Sequence, residues 1–287
     1  MCELLGMDCR TPTDIIFSFT GFACRGGRTG PHADGWGVAY YVAHAPHVVK
    51  GASAAFGDQL FKHVSGIVTS ETVLAHLRKA TQGELSTINT HPFQYGHWVF
   101  AHNGNIEGFN GVRAQLLARI PPVLRRFILG TTDSEVLFYL ILGKMAQRFE
   151  LHRPGFPVAA IAESVREVVA EISALVGPLC EDNHGPPDRT YLSFVLTNGH
   201  AMLAHQGGKQ LHVSTHKRRC PDRDTCPHFA PECERAADHG FISHLVLSSE
   251  PLDGDNVWEE LCPHEMIGVD ARMQLQRFPP PGSGGST

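Results

Sequence analysis

A cysteine stands second in the chain, in the opening stretch MCELLGMDCR. In many proteins a cysteine is no more than a small apolar residue. If Met1 is removed, however, Cys2 carries both a thiol nucleophile and an α-amine of pKa about 8, which can act as its base. The small side chain of Cys2 favours removal of Met1 by a methionine aminopeptidase. The sequence therefore suggests covalent catalysis by an N-terminal cysteine. Such catalysis needs further residues elsewhere in the chain to bind the substrate and to stabilise the reaction intermediate.

Four further segments carry the residue types that such a nucleophile requires. They are AHLRKATQG with Arg78, NTHPF with His91, AHNGNI with Asn103 and Gly104, and TTDSEV with Asp133. Each also has a purely structural explanation. HNG is a common turn, a carboxylate at a helix N-terminus is stabilised by the helix dipole, and an arginine can lie on a strand surface. For His91 we favour a hydrogen-bonded structural histidine that supports the adjacent strand.

In this order, after an N-terminal cysteine, the segments resemble the glutaminase domain of class II glutamine amidotransferases, which are N-terminal-nucleophile hydrolases. The resemblance runs from Met1 to about Asp270. It is closest in character to the stand-alone amidotransferase-like proteins, which include the γ-glutamyl amide hydrolase of ergothioneine synthesis. The closing segment SSEPLDGDNVWEEL also resembles that branch. The resemblance implies an α+β fold of four αββα layers with antiparallel sheets, in one domain over residues 1–278.

The resemblance also implies a role for each residue. Cys2 would attack the side-chain amide carbon of glutamine and form a γ-glutamyl thioester, with its own α-amine as the base. The Asn103 side chain and the Gly104 N–H would hold the tetrahedral oxyanion. Arg78 would bind the substrate α-carboxylate through its planar guanidinium, and Asp133 would accept from the α-ammonium group.

The segment RKATQG bears on the choice of substrate. Thr81 would add polar contacts there, whereas Lys79 and Gln82 stand where synthetase-linked relatives often carry tryptophan and histidine. The expected substrate is therefore glutamine or another γ-glutamyl amide. Because no acceptor-binding domain follows the glutaminase-like region, we expect either a synthase partner subunit or water as the acceptor. No cofactor is implied.

The stretch CRGGRTGPHADGWG has the glycine content of a loop that closes over a ligand. It lacks the G-K-[ST] ending of a phosphate loop, and no G-x-G-x-x-G introduces a dinucleotide site. Its resemblance to the glutamine-side loop of the family implies that Gly26, Gly27 and Trp36 shape the pocket. The alternative is a purely structural turn.

A segment rich in cysteine and histidine occupies about residues 216–240. Cys220, Cys226, Cys233 and His228 are residue types that bind tetrahedral zinc, but their spacing lacks paired C-x-x-C motifs. We therefore favour a polar insertion without metal. The alternative function is a catalytically silent module that binds metal or protein through this segment. A third interpretation makes Cys2 a redox thiol, which would act without removal of Met1.

Composition narrows the function classes further. The chain has 287 residues, of which 42% are hydrophobic and 18% charged, and a formal net charge of −5. No basic field favours nucleic acid or an anionic membrane surface. The opening stretch lacks the pattern of a signal peptide, and the apolar tracts are too short to span a membrane. We expect a cytoplasmic protein with free thiols acting on a small molecule.

Short apolar runs bounded by glycine or polar turns predict the strands that must position these residues. In the first half they are CELLGM, GWGVAYYVA, SETVLAHLRKA and HWVFAHNG. In the second half YLSFVLTNGHAMLAHQ predicts a hairpin that turns at Asn198 and Gly199, and QLHVST and FISHLVLSSE predict further strands. This order favours antiparallel α+β layers.

Two helices are predicted between the two groups of strands. TTDSEVLFYLILGKMAQRF opens with Thr132 and Glu135 at the spacing of a capping box. VAAIAESVREVVAEISALVG has one apolar face, formed by Ile161, Val165, Val168, Ile172 and Leu175. The final PPPGSGGST, residues 279–287, predicts a disordered tail.

Overall fold

The structure is a computed structural model that describes residues 2–14 and 16–280. Met1 and residues 281–287, most of the predicted tail, lie outside the described residues. The strands are β1 Glu3–Asp14, β2 Trp36–Val42, β3 Ala45–Gly51, β4 Thr69–Leu77, β5 Phe93–Tyr95, β6 Trp98–Asn105, β7 Tyr191–Thr197, β8 Met202–His205, β9 His212–Ser214, β10 Gly240–Phe241, β11 His244–Ser248, β12 Glu259–Glu260, β13 Met266–Val269 and β14 Gln274–Phe278. The helices are α1 Ile16–Arg25, α2 Gln59–Ile67, α3 Phe109–Arg119, α4 Pro122–Arg125, α5 Asp133–Ala146 and α6 Val158–Val176.

The strands form two sheets in which all pairs are antiparallel. The first sheet has the order β12-β9-β11-β1-β4-β2-β3, and the second has the order β10-β14-β13-β8-β7-β6-β5. Strand β1 lies at the centre of the first sheet, between β11 and β4. Strand β6 lies beside β5 near one edge of the second sheet. The predicted antiparallel α+β arrangement is confirmed.

Three apolar cores separate four layers. Leu4 of β1 belongs to the core between the two sheets, whereas its neighbour Leu5 belongs to the core under α1 and α2. This alternation follows from the two-residue period of a strand that is covered on both faces. Phe100 and Phe138 stack at 5.3 Å in the third core, between the second sheet and helices α5 and α6. The layers therefore run helix, sheet, sheet, helix, as the resemblance implied.

The two predicted helices are confirmed, with one difference at the first. Thr132 caps α5 by accepting a hydrogen bond from the Glu135 N–H at 3.3 Å. The Glu135 carboxylate does not return to Thr132, as it would in a capping box. It accepts instead from the N–H groups of Leu129 and Gly130, at 3.0 and 2.6 Å. The carboxylate thus fastens the turn before the helix, which brings Asp133 to the start of α5.

Other predicted elements can be compared directly with the structure. In α6, the predicted apolar face is buried except at Leu175, which is half-buried against the same core. The hairpin between β7 and β8 turns where Asn198 accepts two backbone N–H bonds and Gly199 takes a φ of 77°. Helices α1, α2 and α3 were not predicted. Within the described residues, no helix is both long enough and apolar enough to cross a membrane.

Strand β11 carries a histidine that makes the fold sensitive to acid. His244 is 8% exposed, and its Nε2 has no hydrogen-bond partner among the described residues. Burial, with Lys217 and His216 nearby, lowers the pKa of His244 to about 4. Since the unfolded chain then binds more protons below pH 6.5, stability falls as the pH drops from about 6.5 toward 4.

We expect His244→Leu to weaken this acid sensitivity. Between pH 7 and pH 5 the free energy of unfolding of the parent should fall by about 2 kcal/mol more than that of the variant. Urea unfolding at the two pH values measures the difference. Equal losses of stability in parent and variant would contradict the assignment.

Candidate active site

The residues singled out from the sequence meet where three strands and a helix come together. Cys2 precedes β1, Arg78 follows β4, Gly104 lies near the end of β6, and Asp133 begins α5. They line a cavity of about 20 Å³, which is room for about one water molecule. The lining also includes Lys79, Thr81, Gln82, Asn89, His91, His102, Thr132 and Ser134. Residues predicted from separate segments of the sequence therefore share one cavity.

Cys2 is held through both its backbone and its sulfur. Its backbone N donates to Asn103 Oδ1 at 3.0 Å. Its Sγ lies against the Lys79 peptide, 3.3 Å from the N and 3.4 Å from the O. Burial raises the pKa of the Cys2 thiol, an effect that the Lys79 hydrogen bond and nearby Arg78 partly offset. At neutral pH the sulfur is thus a thiol rather than a thiolate.

Asn103 connects Cys2 to Ser249, a residue near the far end of the chain. Its Nδ2 lies 3.5 Å from Ser249 Oγ, and the same hydroxyl accepts from Leu4 N at 2.9 Å. The Ser249 hydroxyl therefore orients the Asn103 amide and also holds the first residues of β1. The next residue, Gly104, has no room for a side chain, because a Cβ there would overlap the Tyr191 carbonyl and the His102 ring.

Arg78 is buried, and its guanidinium donates hydrogen bonds to the loop that follows it. Its Nη1 donates to the Glu84 carbonyl at 3.2 Å, and its Nη2 donates to the Gln82 and Gly83 carbonyls at 2.9 and 3.4 Å. Gln82 in turn donates from Nε2 to Asn105 Oδ1 at 3.1 Å. The guanidinium thus holds loop 82–84 over the cavity, so that an anion bound at Arg78 would compete with these carbonyls.

Asp133 is almost fully buried at the first turn of α5. Its Oδ2 accepts from Ile106 N at 2.8 Å, and its Oδ1 accepts from Ser134 N at 2.9 Å. Burial raises the pKa of Asp133, and His102 and these N–H groups act against the shift. His102 is itself satisfied, with Nδ1 on Ser134 Oγ and Nε2 on the Tyr191 carbonyl. The site therefore places one carboxylate and one guanidinium on the same cavity.

Comparison with known proteins decides the family. A family model for class II glutamine amidotransferases matches residues 1–275. The YafJ protein of Escherichia coli strain K12, assigned by its name to the glutamine amidotransferases, is 32% identical over 277 residues, which are 92% of this chain and 96% of YafJ. The chain belongs to the class II glutamine amidotransferases. This family acts on the side-chain amide of glutamine, so the chain is an enzyme of that general class with a small-molecule substrate.

Two further relatives add detail to this amidotransferase. The gamma-glutamyl-hercynylcysteine sulfoxide hydrolase of Mycobacterium tuberculosis strain CDC 1551 is 38% identical over 77 residues, which are 26% of this chain and 33% of the hydrolase. Among solved structures, a glutamine aminotransferase class-II domain protein (SPO2029) from Silicibacter pomeroyi superimposes with a TM-score of 0.61. At 22% identity, over 96% of this chain and 98% of that protein, it shows a shared fold.

The predicted pocket loop of the amidotransferase lies outside the cavity lining. Trp36 is fully buried in the core under α1 and α2, where its indole donates to Asp58 at 3.0 Å. Gly26 and Gly27 lie beyond the end of α1, close to Ala55 and Ala54. The alternation of β2 turns the Trp36 side chain toward the outer core and away from this cavity.

The same loop supports the site through another residue. Asp34 Oδ2 accepts from Ala80 N at 2.8 Å, and Asp34 N donates to the Arg78 carbonyl at 3.0 Å. Asp34 was not predicted from the sequence, nor were His102 and Ser134 in the lining. HADG, AHNG and TTDSEV contain these residues, but only the three-dimensional pairing shows what each side chain contacts.

The Cys/His-rich segment lies apart from this site. Cys220 N donates to Glu234 Oε1 at 2.8 Å, and Lys217 N donates to the Cys233 carbonyl at 2.8 Å. His228 is held through its carbonyl, which accepts from Arg10. Within residues 2–14 and 16–280, no three His, Cys, Asp or Glu side chains come together as a metal site. The eight cysteines, all of them described, are free thiols. Nothing here favours a silent metal-binding module.

Proposed function

We propose that the chain hydrolyses the side-chain amide of glutamine, or of a γ-glutamyl amide, through a thioester on Cys2. The observation that carries this proposal is the 3.0 Å contact between the Cys2 backbone N and Asn103 Oδ1, at the cavity shared with Arg78 and Asp133. When Met1 is removed, this N becomes an α-amine that Asn103 already orients. Nucleophile, base and amide donor then meet at one point.

In the proposed reaction, the α-amine takes the proton of the thiol as Sγ attacks the amide carbon. The C–S bond forms, and the carbonyl oxygen becomes an oxyanion that accepts from Asn103 Nδ2 and the Gly104 N–H. Collapse of this intermediate breaks the C–N bond, and the leaving nitrogen takes the proton from the α-ammonium group of Cys2. Water, deprotonated by the same amine, then hydrolyses the thioester to give the γ-carboxylate and the free thiol.

Substrate recognition is proposed to use the opposite charges of an amino acid. Arg78 would bind the α-carboxylate after releasing carbonyls of loop 82–84, and Asp133 would accept from the α-ammonium group. Thr81, which lines the cavity, would add a polar contact. The N–H groups of Arg78 cannot bind all the carbonyls of loop 82–84 and the substrate carboxylate at the same time. We therefore expect substrate entry to be coupled to movement of this loop.

The leaving group and the acceptor belong to the same proposal. The hydrolase from M. tuberculosis is named for a γ-glutamyl substrate that is not glutamine, and a γ-glutamyl amide fits the same chemistry here. Water would accept the γ-glutamyl group, and the ammonia or amine would be released to solvent or passed to a synthase partner subunit. Assays should therefore compare glutamine with γ-glutamyl amides carrying larger amines.

The proposal is tested by intact mass spectrometry with 6-diazo-5-oxo-norleucine, an electrophilic glutamine analogue. We expect loss of Met1 and one adduct on Cys2 in the parent protein. Cys2→Ala should give no adduct and reduce glutamine hydrolysis by at least about 1000-fold. Cys24→Ala, which removes another half-buried thiol, should label like the parent. Retained Met1, or labelling that persists in Cys2→Ala, would refute the proposal.

A further inference from the structure

His91 is a buried polar side chain whose hydrogen-bonding groups are unused. It is 4% exposed and lines the same cavity as Cys2, yet neither Nδ1 nor Nε2 has a hydrogen-bond partner among the described residues. The neighbouring His102 uses both of its ring nitrogens. Two unpaired nitrogens in a buried ring are costly unless something binds them. The expectation of a satisfied structural histidine is therefore wrong.

The ring of His91 is held in place by packing. It lies 4.1 Å from the His76 ring and 4.7 Å from the Phe93 ring, measured between centroids. Its backbone packs directly on β2, where a Cβ at Gly37 would overlap the His91 carbonyl. The ring therefore presents its nitrogens in one orientation, as a binding group must.

Burial lowers the pKa of His91 well below its usual value, and the nearby His76, His102, Arg78 and Lys50 act in the same direction. The ring is thus neutral, with one N–H donor and one acceptor nitrogen. The buried His76 and His102 rings are neutral as well, so Arg78 and Lys50 are the cations that act on His91, and they favour an anion as its missing partner. Arg78 is the cavity cation beside it, and both of its terminal nitrogens already donate to loop carbonyls.

We propose that His91 is a specificity-determining residue that donates a ring N–H to the α-carboxylate of the γ-glutamyl substrate, beside Arg78. The inference rests on the proposed function, since it assigns a contact in the same site. The His91 N–H would give the α-carboxylate a hydrogen-bond donor that is available whether or not Arg78 has released loop 82–84. The enzyme would then select α-amino acids over amides that lack this carboxylate.

The test uses Cys2→Ala protein, which binds without reacting, labelled with ¹⁵N-histidine and titrated with L-glutamate by NMR. We expect a new, exchange-protected imidazole N–H resonance that disappears in His91→Phe. It should not form with 4-aminobutyrate, which lacks the α-carboxylate. His91→Phe keeps the ring contacts and should weaken glutamate binding about 10- to 100-fold. His91→Asn, which keeps an N–H donor, should recover part of that loss.

A matched control separates recognition from packing. His205 is equally buried, on β8, but does not line the cavity, so His205→Phe should lower stability without weakening glutamate binding. Glutamate binding without the new resonance, or the same resonance with 4-aminobutyrate, would overturn the role of His91 and leave the proposed function standing. No glutamate binding by Cys2→Ala protein would overturn both.

Discussion

Replacing Asn103 by alanine is expected to reduce kcat/KM for glutamine hydrolysis by about 100- to 1000-fold, the usual cost of losing one oxyanion donor. The structure adds a second reason. Asn103 Oδ1 accepts from the Cys2 backbone N at 3.0 Å, so the variant also loses the group that orients the proposed base. Both effects act on the transition state, and kcat should fall more than KM rises.

Asn105 provides the matched control for this variant. It lies two residues further along β6 and is also buried, but it binds the Asp188 and Arg189 carbonyls and the Gln82 side chain. Asn105→Ala should lower stability and cost less than about tenfold in kcat. Steady-state kinetics with thermal unfolding on both variants makes the comparison. If the two variants lose activity equally, Asn103 has no special place in the reaction.

The strands that carry the site could be predicted because the apolar pattern of a strand is visible within a few consecutive residues. CELLGM, SETVLAHLRKA and HWVFAHNG were recognised from period and turn residues, and they became β1, β4 and β6. Helix α3 was missed because it has no strong apolar face and because its N-cap residue, Gly108, has no side chain to cap it. Helix α2 was missed although Asp58 caps it. Local signals therefore predicted the central layers better than the outer ones.

The contacts that complete the site are long-range, and no local pattern contains them. Ser249 reaches Asn103 across 146 positions and Leu4 across 245, because β11 pairs with β1 in the first sheet. The segment SSEP was noticed only through resemblance. The position of Trp36 in the outer core could not be predicted for a related reason, since the face of a strand residue depends on the register of its neighbours. Pairing between distant strands was the missing information.

Keeping a residue in front of Cys2 is expected to abolish activity. The burial that raises the pKa of the Cys2 thiol leaves little thiolate at pH 7. A free α-amine can take the proton of the thiol, whereas the amide nitrogen of a longer chain has no basicity. A fusion that ends in a protease site immediately before Cys2 should therefore fold but hydrolyse glutamine at least about 1000-fold more slowly than the mature protein.

Cleavage of the same fusion should restore the reaction, which distinguishes a missing base from a misfolded protein. Hydrolysis is measured before and after cleavage, with Cys2→Ala cleaved in parallel as the inactive control. Recovery in the parent alone would mean that the exposed amine supplies the base that the half-buried thiol needs. Equal activity before cleavage would mean that the free amine is not needed and that another group deprotonates Cys2. Asn103 Oδ1 accepts from the Cys2 backbone N, so cleavage should convert a nitrogen that is already held at the reacting centre from an amide into a base.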